Sequence, residues 1–256
     1  AWRAAIRPAQ EIGAPLSAQT QAFSEFASKL SNASWMFLLS VAVAAIAAGY
    51  ALERVFRASM LRWLPQPLAD SGTGIQASLV FLTKRLVREA AGVVVFVVVS
   101  AAIVDFLMPD AFEQYAFAAL MTLVLAPRVA YTIVRFVLTP KFPKHRLVFA
   151  DDETSKFLTR HSVGMALVIG TMQFVSQFNV LSGAPDQASS IVFWFDILLR
   201  VYFVWIVWRS WHGLARMMKG FDDEVSPWES RIAGTYPVFA IISVLGMWWL
   251  INVIAS

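Results

Sequence analysis

Six stretches of the chain are apolar over about 20 residues or more, and polar connections separate them. They cover residues 33–52, 90–108, 114–138, 162–181, 191–211 and 232–255. A helix needs about 20 mainly apolar residues to cross the hydrocarbon core of a bilayer. An unpaired backbone group in lipid costs several kcal/mol, and no stretch alternates as barrel strands do. The pattern therefore predicts an all-α, polytopic helical membrane protein with about six transmembrane helices.

The composition agrees with this fold class. Of 256 residues, 58% are hydrophobic and 15% are charged, whereas a soluble domain has roughly 45–50% apolar and about 25% charged residues. This excludes a disordered chain, a disulfide-stapled secreted domain and an ordinary cytosolic enzyme. Because the chain has no Cys, it has no thiolate metal site and no Cys nucleophile.

The basic residues predict the direction of the spans. Sixteen of the 21 Lys and Arg residues lie in the first, third and fifth connections or at the span ends that border them, and none lies in the second or fourth. Since cytoplasmic loops retain Lys and Arg, we expect the amino terminus outside a bacterial inner membrane. The net charge of +4 is then a topology signal, and we expect no nucleic-acid partner.

Aromatic and basic side chains near the span ends predict contact with membrane lipids. Trp and Tyr concentrate at the two membrane surfaces, and basic residues of an amphipathic helix face lipid headgroups. The predicted lipid-interface residues are Trp35 and Trp194 at outer ends, Trp63, Trp208 and Trp211 at inner ends, and Lys84, Arg85 and Arg88 in the first inner connection.

The connections divide the chain into three parts. Residues 1–31 form an outer amphipathic tail, 32–138 hold transmembrane helices one to three with an inner amphipathic connection at 53–89, and 139–256 hold helices four to six with inner loops. Short outer connections predict antiparallel hairpins. After a Pro- and Gly-rich turn at 65–74, a helix from Ile75 either runs straight into span two or lies on the membrane as a lipid-sensing element. The tail either lies at the outer interface or belongs to a preceding domain.

The polar segments carry helix caps rather than catalytic motifs. Asp151, Asp152 and Glu153 predict an N-terminal cap for span four, and a metal site would need further ligands from elsewhere. Residues 226–229 read as a capping box before span six. The three His residues occur singly, and no catalytic signature is present. We therefore expect no enzyme, no cofactor and no metal.

Three charged residues lie inside the predicted spans and more than three residues from their ends: Arg128, Asp196 and Arg200. A charge at the bilayer centre costs about 2.5–3.5 kcal/mol on insertion scales, so such residues are functional candidates. Asp196 and Arg200 are four residues apart and share one helical face. Pro127 and Pro237 predict helix kinks, and a kink beside Arg128 accommodates its side chain. These charges serve either structure or a role in ion passage, gating or headgroup binding.

The second half of the chain resembles a known membrane family. The residues are HRLVFADDETSKFLTRHSVGMALVIGTMQF, the turn LSGAPDQ, ILLRVYFVWIVWRSWHGLARMM and then YPVFAIISVLGMWWLI. This order is similar to the transmembrane sensor region of large members of the bacterial small-conductance mechanosensitive channel (MscS) family. The resemblance implies lipid-facing hairpins around a homo-oligomeric ring, a heptamer in that family, that couple membrane tension to a pore. The family's small-residue pore helix and β-rich cytoplasmic domain do not occur here, and we expect them beyond Ser256.

Two other functions fit the sequence. A small secondary transporter would use Arg128, Asp196 and Arg200 as a midplane site between repeated halves. A scaffold subunit would have no transport of its own.

Overall fold

The computed structural model describes residues 13–29, 32–63, 75–138, 148, 150–183, 186–219 and 227–254. These residues form eight α-helices and no strand. The helices are α1 (Gly13–Lys29), α2 (Asn32–Trp63), α3 (Ile75–Leu107), α4 (Ala111–Leu138), α5 (Asp152–Ser182), α6 (Asp186–Arg209), α7 (Trp211–Lys219) and α8 (Pro227–Ile254). The predicted turn at 65–74 and Ser226 of the capping box lie outside the described residues.

Six of these helices are long and apolar enough to cross a membrane, namely α2 to α6 and α8. The prediction of an all-α, six-span membrane protein is confirmed. The first two spans are longer than predicted, because α2 continues to Trp63 and α3 begins at Ile75. The segment after the turn therefore runs straight into span two, as the first of its two interpretations required.

Each spanning helix packs mainly against its neighbours in the chain, in the order α2, α3, α4, α5, α6, and α8 contacts both α6 and α7. The connections after α3 and α5 are tight. Asp110 Oδ1 accepts the Phe112 N–H at 3.0 Å, and Gly183 ends α5 with a φ of 69° that favours glycine. We call the end with these two connections the hairpin end and the opposite end the basic end.

Helix α1 packs across the hairpin end. Lys29 Nζ donates to the carbonyls of Leu181 and Ser182 at 2.9 and 3.0 Å, which satisfies the free carbonyls at the end of α5. The Phe26 ring is buried, with its centroid 5.1 Å from that of Trp35 and 4.8 Å from that of Phe178. Trp35, predicted to face lipid, is therefore half-buried in an aromatic cluster, because α1 covers it.

Small residues bring α2 and α3 together. Ser100 Oγ donates to the Ala45 carbonyl at 3.1 Å. A Cβ on Gly49 would lie 2.9 Å from the Phe96 carbonyl oxygen, a separation that a real side chain does not adopt. Close approach of the two backbones, with Phe96 fully buried between them, is the packing that small residues permit in membrane helices.

The spanning helices bury little of their surface within the chain. Only 11% to 28% of the apolar part of each span is buried. Large apolar side chains such as Phe106, Val98 and Phe239 are mostly exposed. Because lipid accepts apolar surface that water would not, this arrangement is that of a row of helices with extensive membrane contact.

Candidate functional site

The first polar site is centred on Glu53, which is 2% exposed. Its Oε1 accepts from Arg57 Nη2 at 2.6 Å, one turn further along α2. Its Oε2 accepts from Arg128 Nη2 of α4. The Arg128 guanidinium also lies 4.3 Å from the centre of the Phe96 ring, a distance at which cation–π attraction adds to the ion pair.

A second buried carboxylate lies beside the first. Glu89 Oε1 accepts from Arg85 Nε at 3.2 Å and from Arg135 Nη1 of α4 at 3.0 Å. Arg57 Nη2 donates to the Glu89 carbonyl at 3.4 Å and so joins the two ion-pair groups. We call this set the Glu–Arg network, which consists of Glu53, Arg57, Arg85, Glu89, Arg128 and Arg135.

Three members of the network lie at similar distances from the hairpin end. Counted from the hairpin end of its own helix, each of Glu53, Glu89 and Arg128 is roughly 25–32 Å along at 1.5 Å per residue. A hydrocarbon core is about 30 Å thick. These three residues therefore lie about one hydrocarbon thickness from the hairpin end of the helices.

The network has unequal charge and unequal exposure. Four guanidinium groups face two carboxylates. The Glu53 and Glu89 side chains are 3% and 9% exposed, whereas those of Arg57, Arg128 and Arg135 are 20% to 36% exposed. The exposed part of the network is therefore positively charged, and the two negatively charged carboxylates lie buried beneath it.

The second polar site joins α6 to α8. Asp196 Oδ1 pairs with Arg200 Nη1, and Asp196 Oδ2 accepts from Trp248 Nε1 at 2.6 Å. The Arg200 guanidinium also donates to the Asp196 carbonyl at 2.6 Å and lies 4.9 Å from the centre of the Trp248 ring. Each charge thus has a partner inside the membrane, which is the condition for tolerating it there.

A histidine lies between α5 and α6. His161 Nδ1 is 2.8 Å from the Tyr202 hydroxyl, and the Trp205 ring centre is 5.0 Å from that of His161. Gly164 makes room for this contact, since a Cβ there would lie 2.7 Å from the Tyr202 hydroxyl oxygen. The group joins the two helices through one polar contact among aromatic rings.

The start of α5 is capped as predicted. Asp151 Oδ2 accepts the Thr154 N–H at 3.4 Å. Hydrogen bonding from Thr154 holds the pKa of the Asp151 carboxyl below its ordinary value. Partial burial of the carboxyl raises this pKa, whereas the positive charge of Arg216, 3.4 Å away on α7, lowers it further. In the described residues, no three His, Cys, Asp or Glu side chains converge as metal ligands.

The three predicted intramembrane charges do not form one site. The i, i+4 spacing brings Asp196 and Arg200 together as an ion pair. Arg128, by contrast, pairs with Glu53 of α2, a partner that we did not predict. Among the contacts of the described residues, none links the two groups.

The remaining predicted residues take several positions. Arg85, predicted to face lipid, is 7% exposed, because Glu89 draws it into the interface between α3 and α4. Lys84 and Trp208 are exposed, and Arg88, Trp194 and Trp211 are half-buried. The side chain of Trp63 lies outside the described residues. Helices α4 and α8 continue through Pro127 and Pro237, and Pro237 is fully buried; the predicted kinks stay predictions.

Sequence reasoning missed both carboxylates of the network. Glu53 and Glu89 fall just outside the apolar stretches, which we ended at residue 52 and began at residue 90. The signal that identifies them is the i, i+4 spacing of Glu53 with Arg57 and of Arg85 with Glu89. These pairs let a helix carry charge deeper into the membrane than hydropathy alone allows.

Comparison of the chain with protein-family models, curated protein sequences and solved structures gives no significant match.

Proposed function

We propose that this chain is the lipid-facing part of a mechanosensitive channel subunit, which couples bilayer tension to the opening of a pore. In this proposal the chain crosses a bacterial inner membrane with its amino terminus outside. Copies surround a common pore as a homo-oligomeric ring, in the manner of the mechanosensitive channel family that the sequence resembles. The proposal requires a pore-forming part outside these 256 residues.

The observation that carries the proposal is the small buried fraction of the spans, 11% to 28%. Each helix packs mainly against its chain neighbours, so a large lipid-contacting surface extends from hairpin to hairpin. Membrane tension stabilises the state that occupies more membrane area, by a free energy equal to the tension multiplied by the area difference between the two states. A surface of this kind changes its lipid contact when the hairpins tilt, and tension then shifts the population of states.

The hairpins also have internal ties that let them move as units. The Glu–Arg network joins α2, α3 and α4 at the basic end, and Lys29 joins α1 to α5 at the hairpin end. Ion pairs and capped carbonyls at both ends hold these helices together. A force on the lipid-facing side chains is then transmitted to the whole group rather than absorbed by one helix.

Patch recordings test the proposal. The complete reading frame is expressed in spheroplasts that lack their own stretch-activated channels, and suction is expected to open a conductance. Phe239→Asn, on an exposed part of α8, is expected to raise the suction needed, because it weakens lipid contact. Met218→Asn is the control, since Met218 is exposed on α7 outside the spans. A reading frame that ends at Ser256, or patches without any stretch-activated current, would contradict the proposal.

A secondary transporter is the alternative, and the charged pair within α6 favours it. Asp196 and Arg200 lie in the interior of a span, where a transporter places its binding groups. Uptake that is unchanged in Asp196→Asn would count against a transport site there. Because the pair already satisfies itself with Trp248, we rank this function second.

A further inference from the structure

We propose that the Glu–Arg network binds the phosphate group of an anionic phospholipid at the basic end of the helices. The inference concerns a ligand site and does not depend on the channel role. It rests on the charge of the network, on which of its members reach the surface, and on its depth in the membrane.

The network has more donors than its own carboxylates can use. An Arg side chain offers five N–H donors and a carboxylate about four acceptor positions, so Arg57 and Arg128 together bring roughly ten donors to the roughly four acceptor positions of Glu53. Other contacts take up part of the excess, as the bond from Arg57 to the Glu89 carbonyl does. An added anion supplies acceptors to the exposed guanidinium edges of Arg57 and Arg128.

The ligand implied by this chemistry carries phosphate oxygens. Guanidinium groups bind phosphate through paired, charge-assisted hydrogen bonds. The two carboxylates are buried beneath Arg57, Arg128 and Arg135, so an approaching anion meets the guanidinium edges and not the acids.

The guanidinium groups are held in place before a ligand arrives. Glu53 fixes Arg57 and Arg128, and Glu89 fixes Arg135. The Arg57 side chain lies against Gly92, where a Cβ would approach its Nε to 2.4 Å. Side chains that are already ordered lose little conformational entropy on binding. The buried carboxylates therefore serve as supports for a cationic surface.

The position of the site selects a lipid over a soluble anion. The network lies about one hydrocarbon thickness from the hairpin end, which is the level of lipid phosphates. Half-buried Arg88 is on the same helix as Arg85, and basic residues beside a span attract anionic headgroups. A phospholipid reaches this surface from within the membrane without leaving it.

The test measures lipid binding to the intact protein in mild detergent. Binding is followed by native mass spectrometry and by the shift in thermal unfolding temperature. The probes are phosphatidylglycerol, phosphatidylcholine and soluble glycerol phosphate. We expect phosphatidylglycerol to be retained and to stabilise the protein, and the other two to have little effect.

Variants of Arg57 and its neighbours localise the binding. Arg57→Gln is expected to weaken phosphatidylglycerol binding roughly tenfold, the loss of one charge-assisted contact. Lys84→Gln removes the same charge from the same end but leaves the network intact, so it is expected to change binding less than about twofold. Gly92→Ala changes no charge but displaces the Arg57 side chain, so it is expected to weaken phosphatidylglycerol binding as well. Arg57→Lys is also expected to weaken binding. Either variant replaces Arg57→Gln in the test if Arg57→Gln does not fold.

Three results would overturn the proposal. The first is equal retention of phosphatidylglycerol and phosphatidylcholine. The second is equal loss of binding in Arg57→Gln and Lys84→Gln, which indicates only the general attraction of a basic surface. The third is stabilisation by glycerol phosphate without any effect of phosphatidylglycerol, which assigns the site to a soluble phosphate.

Discussion

Glu53 of α2 and Arg128 of α4 form an ion pair across 75 residues of sequence. Glu53 also accepts from Arg57, and its side chain is 3% exposed. Breaking a buried pair by removing one partner leaves an uncompensated charge. The ion pair that joins α2 to α4 therefore depends on one carboxylate.

Glu53→Gln is expected to lower the free energy of unfolding by about 3–5 kcal/mol, as measured by denaturant unfolding in bicelles. The control is Glu153→Gln, an exposed acid in the first turn of α5, with an expected loss below about 1 kcal/mol. Combining Glu53→Gln with Arg128→Gln is expected to be less destabilising than the sum of the two single changes. Additive losses would show that the two residues do not act as a pair.

Gly49→Ala is expected to separate α2 from α3, because the new Cβ would meet the Phe96 carbonyl oxygen at 2.9 Å. The expected loss is about 1–3 kcal/mol of unfolding free energy. Gly246→Ala is the matched control, since a Cβ there meets nothing within 4 Å in the chain. Comparable losses in both variants would contradict the packing described for α2 and α3.

Asp196→Asn is expected to loosen α8 from α6. The substitution leaves Arg200 without its counter-charge in the membrane, at a cost of about 2.5–3.5 kcal/mol on insertion scales, and weakens the acceptor for Trp248 Nε1. Hydrogen exchange followed by mass spectrometry is expected to show faster exchange in residues 227–254, with α2 to α4 unchanged. Trp248→Phe keeps the ion pair and is expected to have a smaller effect. Unchanged exchange in both variants would show that this contact does not hold α8.

The Asp151 cap predicts a pH dependence. The pKa of Asp151 is lowered in the folded protein from its ordinary value of 3.8, chiefly by hydrogen bonding from Thr154. A carboxyl with a depressed pKa contributes stability that is present above its unfolded pKa and is lost as pH falls through the folded pKa. Asp151→Asn still caps the helix but does not titrate.

Unfolding is compared for Asp151→Asn and the parent chain between about pH 7 and pH 2. The parent is expected to be more stable at neutral pH, because only the charged carboxylate interacts with Arg216 and the helix dipole. The difference is expected to shrink as pH falls below the ordinary carboxyl pKa and to disappear below the lowered pKa of the folded protein. If the difference in stability between the two proteins were the same at every pH, ionisation of the Asp151 carboxyl could not be its source.

The six spans were predictable because the bilayer makes secondary structure a local property. Backbone groups must be satisfied within each helix, so a run of apolar residues is sufficient to identify a span. The Asp196–Arg200 pair was predictable for a similar reason, since it lies within one helix at i, i+4 spacing. The N-terminal cap at Asp151 also depends only on adjacent residues.

The partner of Arg128 was not predictable from local pattern. Glu53 lies 75 residues before Arg128 in the sequence. Because it directly follows an apolar stretch, it looks like part of a polar loop. Only the packing of α2, α3 and α4 brings it within reach. The burial of Trp35 has the same origin, because it requires α1 to fold across the hairpin end. Contacts between helices, unlike the helices themselves, depend on tertiary packing.

The order of helix contacts also has a consequence for biogenesis. Because each of α3 to α6 packs on the helix made just before it, a hairpin can assemble as soon as its second helix leaves the ribosome. Glu53 is the exception, since Arg128 is synthesised 75 residues later. Until α4 arrives, Arg57 is the carboxylate's companion within α2. The neighbouring arginine thus allows an acidic residue to enter the membrane during synthesis, ahead of the partner that completes its site.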